Sequence, residues 1–328
     1  MSESSTTKSF HVKSQITGSY QVFFLENLSK RLKLISKNEK IIFLIDSKLF
    51  KLFKFEFKQL DEKTRIVEIV CSERNKTLDY SKEVIRKLID LNIRKDDKLI
   101  AVGGGITQDI TAFISSIIFR GVKWIFYPST LLAQCDSCIG SKSSINFDQF
   151  KNLLGTFNPP EEVYIFPGFL NTLTESEIRS GIGEMLHYFL TDGVELARKL
   201  TDDLENLIED RSRLAFFIDN SLRIKKRIIE IDEFDTSIRH IFNYGHTFGH
   251  ALEAITNYKI PHGQAVTLGI DLANYISLHL ERISSDEFIM MHNILKKNIP
   301  TFSFNEKNIA DYLEALSKDT KNQGNKIG

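Results

Sequence analysis

His246 and His250 stand four residues apart in the run Asn243-Tyr244-Gly245-His246-Thr247-Phe248-Gly249-His250. On a helix, residues at that spacing share a face, so both imidazoles can turn toward one point. A third imidazole, His262, follows Pro261 at the expected start of the next helix. A carboxylate, Glu184, lies in the helical stretch Gly181-Ile182-Gly183-Glu184. One carboxylate and two imidazoles, with coordination positions left for water or substrate, suit a catalytic Zn²⁺ or a similar divalent ion. One histidine alone is more often structural. Three within seventeen positions, flanked by glycines, point to ligation.

A second group is cationic: Arg120, Lys142, Lys151 beside Asn152, Lys225 and Arg239. A cation is costly to bury unless an anion compensates it, so those that enter a pocket would favour an anionic substrate. Isolated lysines are usually solvated, and spacing alone does not make these converge. A third group is the run Gly103-Gly104-Gly105 between an expected strand and an expected helix. Glycine lets the backbone approach a ligand closely, and the helix start behind it offers free N–H groups to phosphate. The run lacks the G-x-G-x-x-G spacing. Asp109 reads as an early-helix acid, favourably placed in the helix dipole.

These residues need elements to hold them. Ile41–Ile45, Ile66–Val70, Leu99–Val102 and Lys123–Tyr127 read as short apolar strands, with helices over Tyr80–Leu91 and Asp109–Phe119. Strands alternating with helices imply a mostly parallel, Rossmann-like sheet. After Val163–Phe166 only helical patterns remain: Glu175–Leu190, Arg213–Ile231, Ser237–Ile255 and Gly263–Leu280. The expected fold class is therefore α/β plus α. A Rossmann-like nucleotide-binding domain spans 1–167 and a helical metal- and substrate-binding domain spans 168–328.

Bulk properties exclude several classes. The chain has 328 residues, 42% hydrophobic and 26% charged, as globular proteins do. Lys plus Arg equals Asp plus Glu at 43 each, so no global field favours nucleic acid or an anionic membrane. No run approaches the roughly 20 apolar residues of a membrane span. Met1 to Ser9 lacks a signal-peptide core, and three cysteines, Cys71, Cys135 and Cys138, do not form a disulfide framework. A cytoplasmic location is expected, with Cys135 and Cys138 as small buried thiols near a turn.

Together these segments resemble the 3-dehydroquinate synthase family of sugar phosphate cyclases. The resemblance runs from about Asp46 to Lys326. It rests on Gly103-Gly104-Gly105-Ile106-Thr107-Gln108-Asp109, on Phe119-Arg120-Gly121-Val122, and on Tyr127-Pro128-Ser129-Thr130-Leu131-Leu132-Ala133-Gln134-Cys135-Asp136-Ser137. Gly140-Ser141-Lys142, Lys151-Asn152-Leu153-Leu154-Gly155, Asn243 to His250, and Pro261-His262-Gly263-Gln264-Ala265-Val266 follow in order. The order and spacing are more specific than any one motif.

The resemblance implies roles. Glu184, His246 and His262 would ligate Zn²⁺ or Co²⁺. NAD would contact Asp46, the turn from Glu73 to Lys76, Gly104, Gly105, Asp109, Ser129, Thr130, Lys142, Lys151, and the segment from Phe169 to Thr172. Asp136, Lys142, Asn152, Lys225, Arg239, Asn243 and His250 would line the substrate pocket. Arg120 would reach the pocket of a partner subunit in a homodimer. The substrate would be 3-deoxy-D-arabino-heptulosonate 7-phosphate, converted to 3-dehydroquinate and phosphate in the shikimate pathway. The implied chemistry is transient oxidation of a substrate carbon, elimination of phosphate, re-reduction, ring opening and intramolecular aldol closure.

Three positions depart from the family pattern. His187 stands where the family has lysine, three residues after the ligand glutamate. Gly140-Ser141-Lys142-Ser143 replaces Gly-Gly-Lys-Thr. Asp319-Thr320-Lys321 replaces Asp-Lys-Lys, making Lys321 the phosphate-binding candidate, and the chain stops at Gly328, short of the family's usual final segment. A divergent cyclase for another phosphorylated sugar stays open. So do a metal-dependent polyol or alcohol dehydrogenase and a catalytically inactive relative. Lys225 and Arg239, the positions associated with carboxylate recognition, favour a keto-acid substrate. His187 would hydrogen-bond a substrate hydroxyl, add a metal ligand, or only pack at the site wall.

Overall fold

The computed structural model describes residues 6–148, 150–301 and 306–317. Lys321 lies outside them. The chain divides into two compact units, Met1–Thr172 and Leu173–Gly328.

The first unit is built on a seven-stranded sheet of order β1-β2-β9-β6-β5-β3-β4. Its strands are β1 (Thr6–Ser14), β2 (Gly18–Leu25), β3 (Ile41–Asp46), β4 (Arg65–Ile69), β5 (Lys98–Gly103), β6 (Lys123–Pro128) and β9 (Glu162–Ile165). Only β1 and β2 pair antiparallel; every other neighbouring pair is parallel. Among the described residues, five helices accompany it: α1 (Leu28–Ile35), α2 (Ser47–Leu52), α3 (Lys54–Phe57), α4 (Leu78–Asp90) and α5 (Gly105–Ile117). β3 is buried from Ile41 to Ile45 and opens only at Asp46, as a strand covered on both faces must be. One core gathers Leu32, Phe43, Ile45, Val102, Tyr127 and Phe169. The apolar runs predicted from the sequence are four of these strands.

Two hairpins were not predicted. β1 reads Thr-Thr-Lys-Ser-Phe-His-Val-Lys-Ser, and β2 hides only Tyr20, Val22 and Phe24-Leu25. Such edge alternation is weak beside the apolar runs. The second hairpin, β7 (Lys142–Phe147) with β8 (Phe150–Phe157), forms a separate two-stranded sheet whose β8 is largely exposed. Helix α5 also begins earlier than the predicted Asp109, because Gly104 takes the N-cap position.

The second unit contains α6 (Glu175–Asp192), α7 (Glu195–Asp202), α8 (Leu204–Glu209), α9 (Leu214–Ile229), α10 (His246–Ile255), α11 (His262–His279), α12 (Ser285–Leu295) and α13 (Glu306–Ser317). Thr174 and Glu177 form a reciprocal capping box that starts α6. The helix predicted over Ser237–Ile255 is instead broken. Asp232 accepts hydrogen bonds from the backbone N–H groups of Thr236, Ser237 and Arg239, a local turn that competes with helix. A 3₁₀ turn covers Ile238–Asn243, and Gly245, at φ +78°, resets the chain before α10.

Glycines let three of these helices touch backbone to backbone. A Cβ on Gly183 of α6 would lie 1.9 Å from the Gly263 carbonyl of α11, and one on Gly263 would lie 1.8 Å from the Ser180 carbonyl. Both are impossible, so neither position accepts a side chain without separating the helices. Glu184 and His262 each neighbour this crossing. The same closeness holds α10 against α11, where a Cβ on Gly269 would lie 2.1 Å from the Gly245 carbonyl.

Candidate functional site

Glu184, His246 and His262 come from three different helices, and their ligand atoms all lie within 4.8 Å of one another. Glu184 Oε1 is 3.0 Å from His262 Nε2 and 3.4 Å from His246 Nε2. Neither contact has hydrogen-bond geometry, so Oε1 is a buried oxygen without a hydrogen-bond partner among the described residues. A buried anion of this kind is costly unless a cation completes it. The donor set, one carboxylate oxygen and two ring nitrogens converging on one point, fits a divalent ion with open positions.

Electrostatics agree. Burial pushes the Glu184 carboxyl up, but His246, His187 and His262 around it more than reverse this and hold it well below the usual carboxylate range. Burial takes His246 down to about 4 against the opposing pull of Glu184, so its ring is neutral at pH 7. Burial also pulls His262 down, yet the carboxylates of Glu184 and Glu253 raise it well above an ordinary histidine.

Five further candidates lie in the same unit, and two of them, His250 and His187, touch these ligands. His250 stacks on His262 at 5.8 Å between ring centroids and meets His246 edge-on at 5.6 Å. Asn243 closes the 3₁₀ turn ahead of α10. Lys225 and Arg239 are each only 6% exposed, so these two cations are not solvated surface charges. Lys225 Nζ sits 6.0 Å from the centre of the Tyr188 ring, and the Arg239 guanidinium donates to the Glu233 carbonyl. His187, fully buried, has Nδ1 3.6 Å from Glu184 Oε2, and neither ring nitrogen has a hydrogen-bond partner among the described residues. It is not among the residues whose ligand atoms converge.

Sequence reasoning missed Glu253. Its Oε2 is 3.0 Å from His262 Nδ1. A signal existed: His246, His250 and Glu253 recur at i, i+4 and i+7, one face of α10.

In the first unit the nucleotide candidates line the carboxyl ends of the parallel strands. Asp46 ends β3 and caps α2, accepting from the N–H groups of Lys48 and Leu49. Glu73 opens the turn after β4. Gly104 and Gly105 follow β5, while Ser129 and Thr130 follow β6. The Ser129 N–H donates to the Gly103 carbonyl at 2.8 Å, which joins the last two loops. A Cβ on Gly104 would lie 2.8 Å from Thr130 Cγ2. Gly104 carries no side-chain cap, leaving the N–H groups at the start of α5 to a ligand. Phe169 and Thr172 follow β9, with the Thr172 hydroxyl donating to the Phe169 carbonyl at 3.0 Å. The order β4-β3-β5-β6 reverses direction between β3 and β5, and open α/β sheets bind ligands at that crevice.

Beside this edge, Lys76 Nζ donates to Asp109 Oδ2 at 3.0 Å and to Asn152 Oδ1 at 2.6 Å. Asp109 Oδ1 accepts the Ser144 N–H at 3.0 Å. Burial raises the Asp109 carboxyl despite Lys76 and Ser144. Asn146 joins the network, donating to Glu73 Oε1 at 2.9 Å, and Lys151 Nζ is 3.9 Å from that same oxygen. Lys142 is exposed at the start of β7, Asp136 is half-buried in the turn Ala133–Ser137, and Arg120 is exposed. Ser141, where the family pattern has glycine, sits at φ +66°, in the left-handed region that favours glycine. Cys135 and Cys138 are buried free thiols.

Residues 66–180 match the family model described as 3-dehydroquinate synthase N-terminal, and residues 181–322 match 3-dehydroquinate synthase C-terminal. The chain belongs to the 3-dehydroquinate synthase family. It is 33% identical over 315 residues to the 3-dehydroquinate synthase of Clostridium tetani, covering 93% of this chain and 84% of that one. It is 38% identical over 306 residues to that of Dictyoglomus thermophilum, covering 92% and 84%. Solved structures with this fold include 2-deoxy-scyllo-inosose synthase complexed with carbaglucose-6-phosphate, NAD⁺ and Co²⁺. That match has a TM-score of 0.84 at 24% identity, covering 98% of this chain and 89% of that one. Another is 2-epi-5-epi-valiolone synthase from Streptomyces hygroscopicus subsp. jinggangensis 5008 with NAD⁺ and Zn²⁺ bound, at TM-score 0.82 and 22% identity, covering 94% and 89%. The chain is thus an enzyme of the dehydroquinate synthase type. The family assignment sets aside the dehydrogenase alternative, whose fold is nevertheless shared: an iron-containing alcohol dehydrogenase matches at TM-score 0.65 and 14% identity, covering 95% of this chain and 92% of that one.

Proposed function

We propose that this protein converts 3-deoxy-D-arabino-heptulosonate 7-phosphate to 3-dehydroquinate and phosphate, using bound NAD and one divalent ion, Zn²⁺ or Co²⁺. The observation that carries the reading is Glu184 Oε1, buried between two imidazole nitrogens in a chain of this family. When bound, the ion supplies Lewis acidity toward a substrate hydroxyl and NAD supplies reversible hydride acceptance. Glu184, His246 and His262 would hold the ion. Lys225 and Arg239 would bind the carboxylate, where a planar guanidinium can form two parallel hydrogen bonds. Asn243 and His250 would orient hydroxyls. In the first unit, the free N–H groups behind Gly104 and Gly105 would take the nucleotide's phosphates. Asp46, Glu73, Lys76, Asp109, Ser129, Thr130, Lys142, Lys151, Phe169 and Thr172 would complete that edge. Asp136, Lys142 and Asn152 would reach the substrate.

We further assign the enzyme to the shikimate pathway in the cytoplasm, as a homodimer in which Arg120 serves the partner's pocket. Three free cysteines suit a reducing compartment, and among the described residues no helix is long and apolar enough to cross a membrane. His187 and Ser141 favour a second reading, a cyclase for a carboxylate-free sugar phosphate. Phosphate release from a panel of sugar phosphates, with NAD and Zn²⁺ or Co²⁺ supplied, decides between them. Turnover of the keto acid is expected, with a loss of about 10- to 100-fold in Arg239→Met, the range of one charge-assisted hydrogen bond. Turnover confined to carboxylate-free sugars replaces the first reading with the second.

A further inference from the structure

His262 is gripped from both sides. Its Nε2 faces Glu184 Oε1 at 3.0 Å, and its Nδ1 faces Glu253 Oε2 at 3.0 Å. We infer that Glu253 is the positioning residue of the metal centre, accepting a hydrogen bond from His262 Nδ1–H so that Nε2 is the atom presented to the ion. This rests on the reading of Glu184, His246 and His262 as ligands.

The need for such a residue follows from where His262 sits. It is the first residue of α11, after Pro261, and its side chain is 31% exposed. Glu184 and His246, by contrast, have side chains only 3% and 14% exposed, so packing restrains them. Packing restrains His262 less, and a ring free to turn would present either nitrogen. Glu253 removes that freedom. Its own side chain is only 13% exposed, and it projects from α10 two turns beyond His246. One helix therefore supplies both a ligand and the group that orients another ligand. Carboxylate–histidine–metal arrangements fix the tautomer and raise the basicity of the ligating nitrogen.

A rival use of the same atoms is a second ion held by His250, Glu253 and His262, whose ligand atoms also lie within 4.8 Å. His262 cannot serve both ions unless its ring gives up both N–H protons. With Nε2 aimed at Glu184 and His246, the remaining proton stays on Nδ1, and Glu253 is its acceptor.

The test compares the full-length wild type with Glu253→Ala and Glu253→Gln. Metal content gives stoichiometry, chelator competition gives Zn²⁺ and Co²⁺ affinity, and the visible spectrum of the Co²⁺ form reports ligand geometry. One ion per wild-type chain is expected. Glu253→Ala should keep that stoichiometry, bind about 10- to 100-fold more weakly and shift the Co²⁺ bands. Glu253→Gln, whose amide oxygen still accepts from Nδ1–H, should recover much of the loss. Wild-type affinity and an unchanged Co²⁺ spectrum in Glu253→Ala would overturn the inference alone. Two ions per wild-type chain falling to one in Glu253→Ala would make Glu253 a ligand instead. No ion in the wild type would overturn the metal reading along with it. Should Glu253→Ala fail to fold, Glu253→Gln and ¹⁵N-imidazole NMR of His262 decide: the wild type must show the proton on Nδ1.

Discussion

The two units solve the problem of buried charge in opposite ways. In the first, Lys76 meets Asp109 and Asn152, Asp109 also takes the Ser144 N–H, and Asn146 holds Glu73, so each charge has its partner in the protein. In the second, Glu184 turns Oε1 toward two imidazole nitrogens, and neither this oxygen nor the two ring nitrogens of His187 have a hydrogen-bond partner among the described residues. The first arrangement pairs carboxylate with ammonium and amide. The second turns a carboxylate oxygen and two ring nitrogens toward one point, as ligands to a shared ion would be. A satisfied network stiffens a site, whereas an unsatisfied cluster stores affinity for a ligand at some cost in stability.

The largest effect expected from that contrast is at the metal centre. His262→Ala should bring activity below detection and remove the ion, with the apo protein still folded. Wild-type protein stripped by a chelator should melt lower and regain its stability on adding Zn²⁺, by about 2.7 kcal/mol at one hundred times the dissociation constant. Metal analysis and calorimetry check both. Full metal occupancy in His262→Ala would remove His262 from the ligand set.

The first unit should respond through stability instead. Lys76 is 8% exposed, and Lys76→Met leaves Asp109, whose side chain is 19% exposed, with the Ser144 N–H but without its cation. Breaking such a half-buried pair should cost about 1–3 kcal/mol, while metal content in the second unit should not change. The loss should depend on pH. Burial already raises the Asp109 carboxyl, and removing Lys76 raises it further. An acid whose folded-state pKa lies above its unfolded value is destabilising above that folded pKa, and the penalty fades as pH falls toward the unfolded value, near ~3.9. Denaturation midpoints of Lys76→Met should therefore approach those of the wild type in acid. A gap that stays constant with pH would mean that lost packing, not lost charge, is responsible.

The same contrast explains what could be read without a structure. The metal centre was legible because helical spacing is local: His246 and His250 show their shared face within five residues, and Glu184 and His262 each neighbour a glycine. Glu253 escaped because it lies one turn further along the same face and bears on a ligand instead of on the ion. The β3, β5 and β6 strands were legible as buried apolar runs, and β4 as a shorter apolar stretch that buries only Val67 and Ile69. The β7–β8 hairpin was not, since β8 exposes most of its side chains and shows no apolar alternation. Yet that hairpin supplies Ser144, Asn146 and Asn152, three members of the first network. Asp109, which reads as a helix-dipole charge, proves to be the network's acid.

The smallest expected effect belongs to His187, and it tests whether the unsatisfied cluster carries a stability cost. The ring is fully buried, 4.9 Å from His246 and 5.9 Å from Phe242 between centroids, and neither nitrogen has a hydrogen-bond partner among the described residues. Its nitrogens are not among the ligand atoms that converge on one point. Leaving a buried polar group unpaired costs about 1–3 kcal/mol, and an apolar group of similar shape removes that cost. His187→Leu should therefore melt no lower than the wild type, and about 1 kcal/mol of added stability is expected. If the imidazole serves the reaction through Glu184, whose Oε2 is 3.6 Å from Nδ1, the same variant should lose turnover by about tenfold, as outer-shell changes at metal sites do. Stability gained with turnover lost is the signature of a group kept for function. A melting point several degrees below wild type would show that the ring is paired and packed like the first unit's network. Unchanged turnover would leave His187 as filler in a site whose chemistry lies elsewhere.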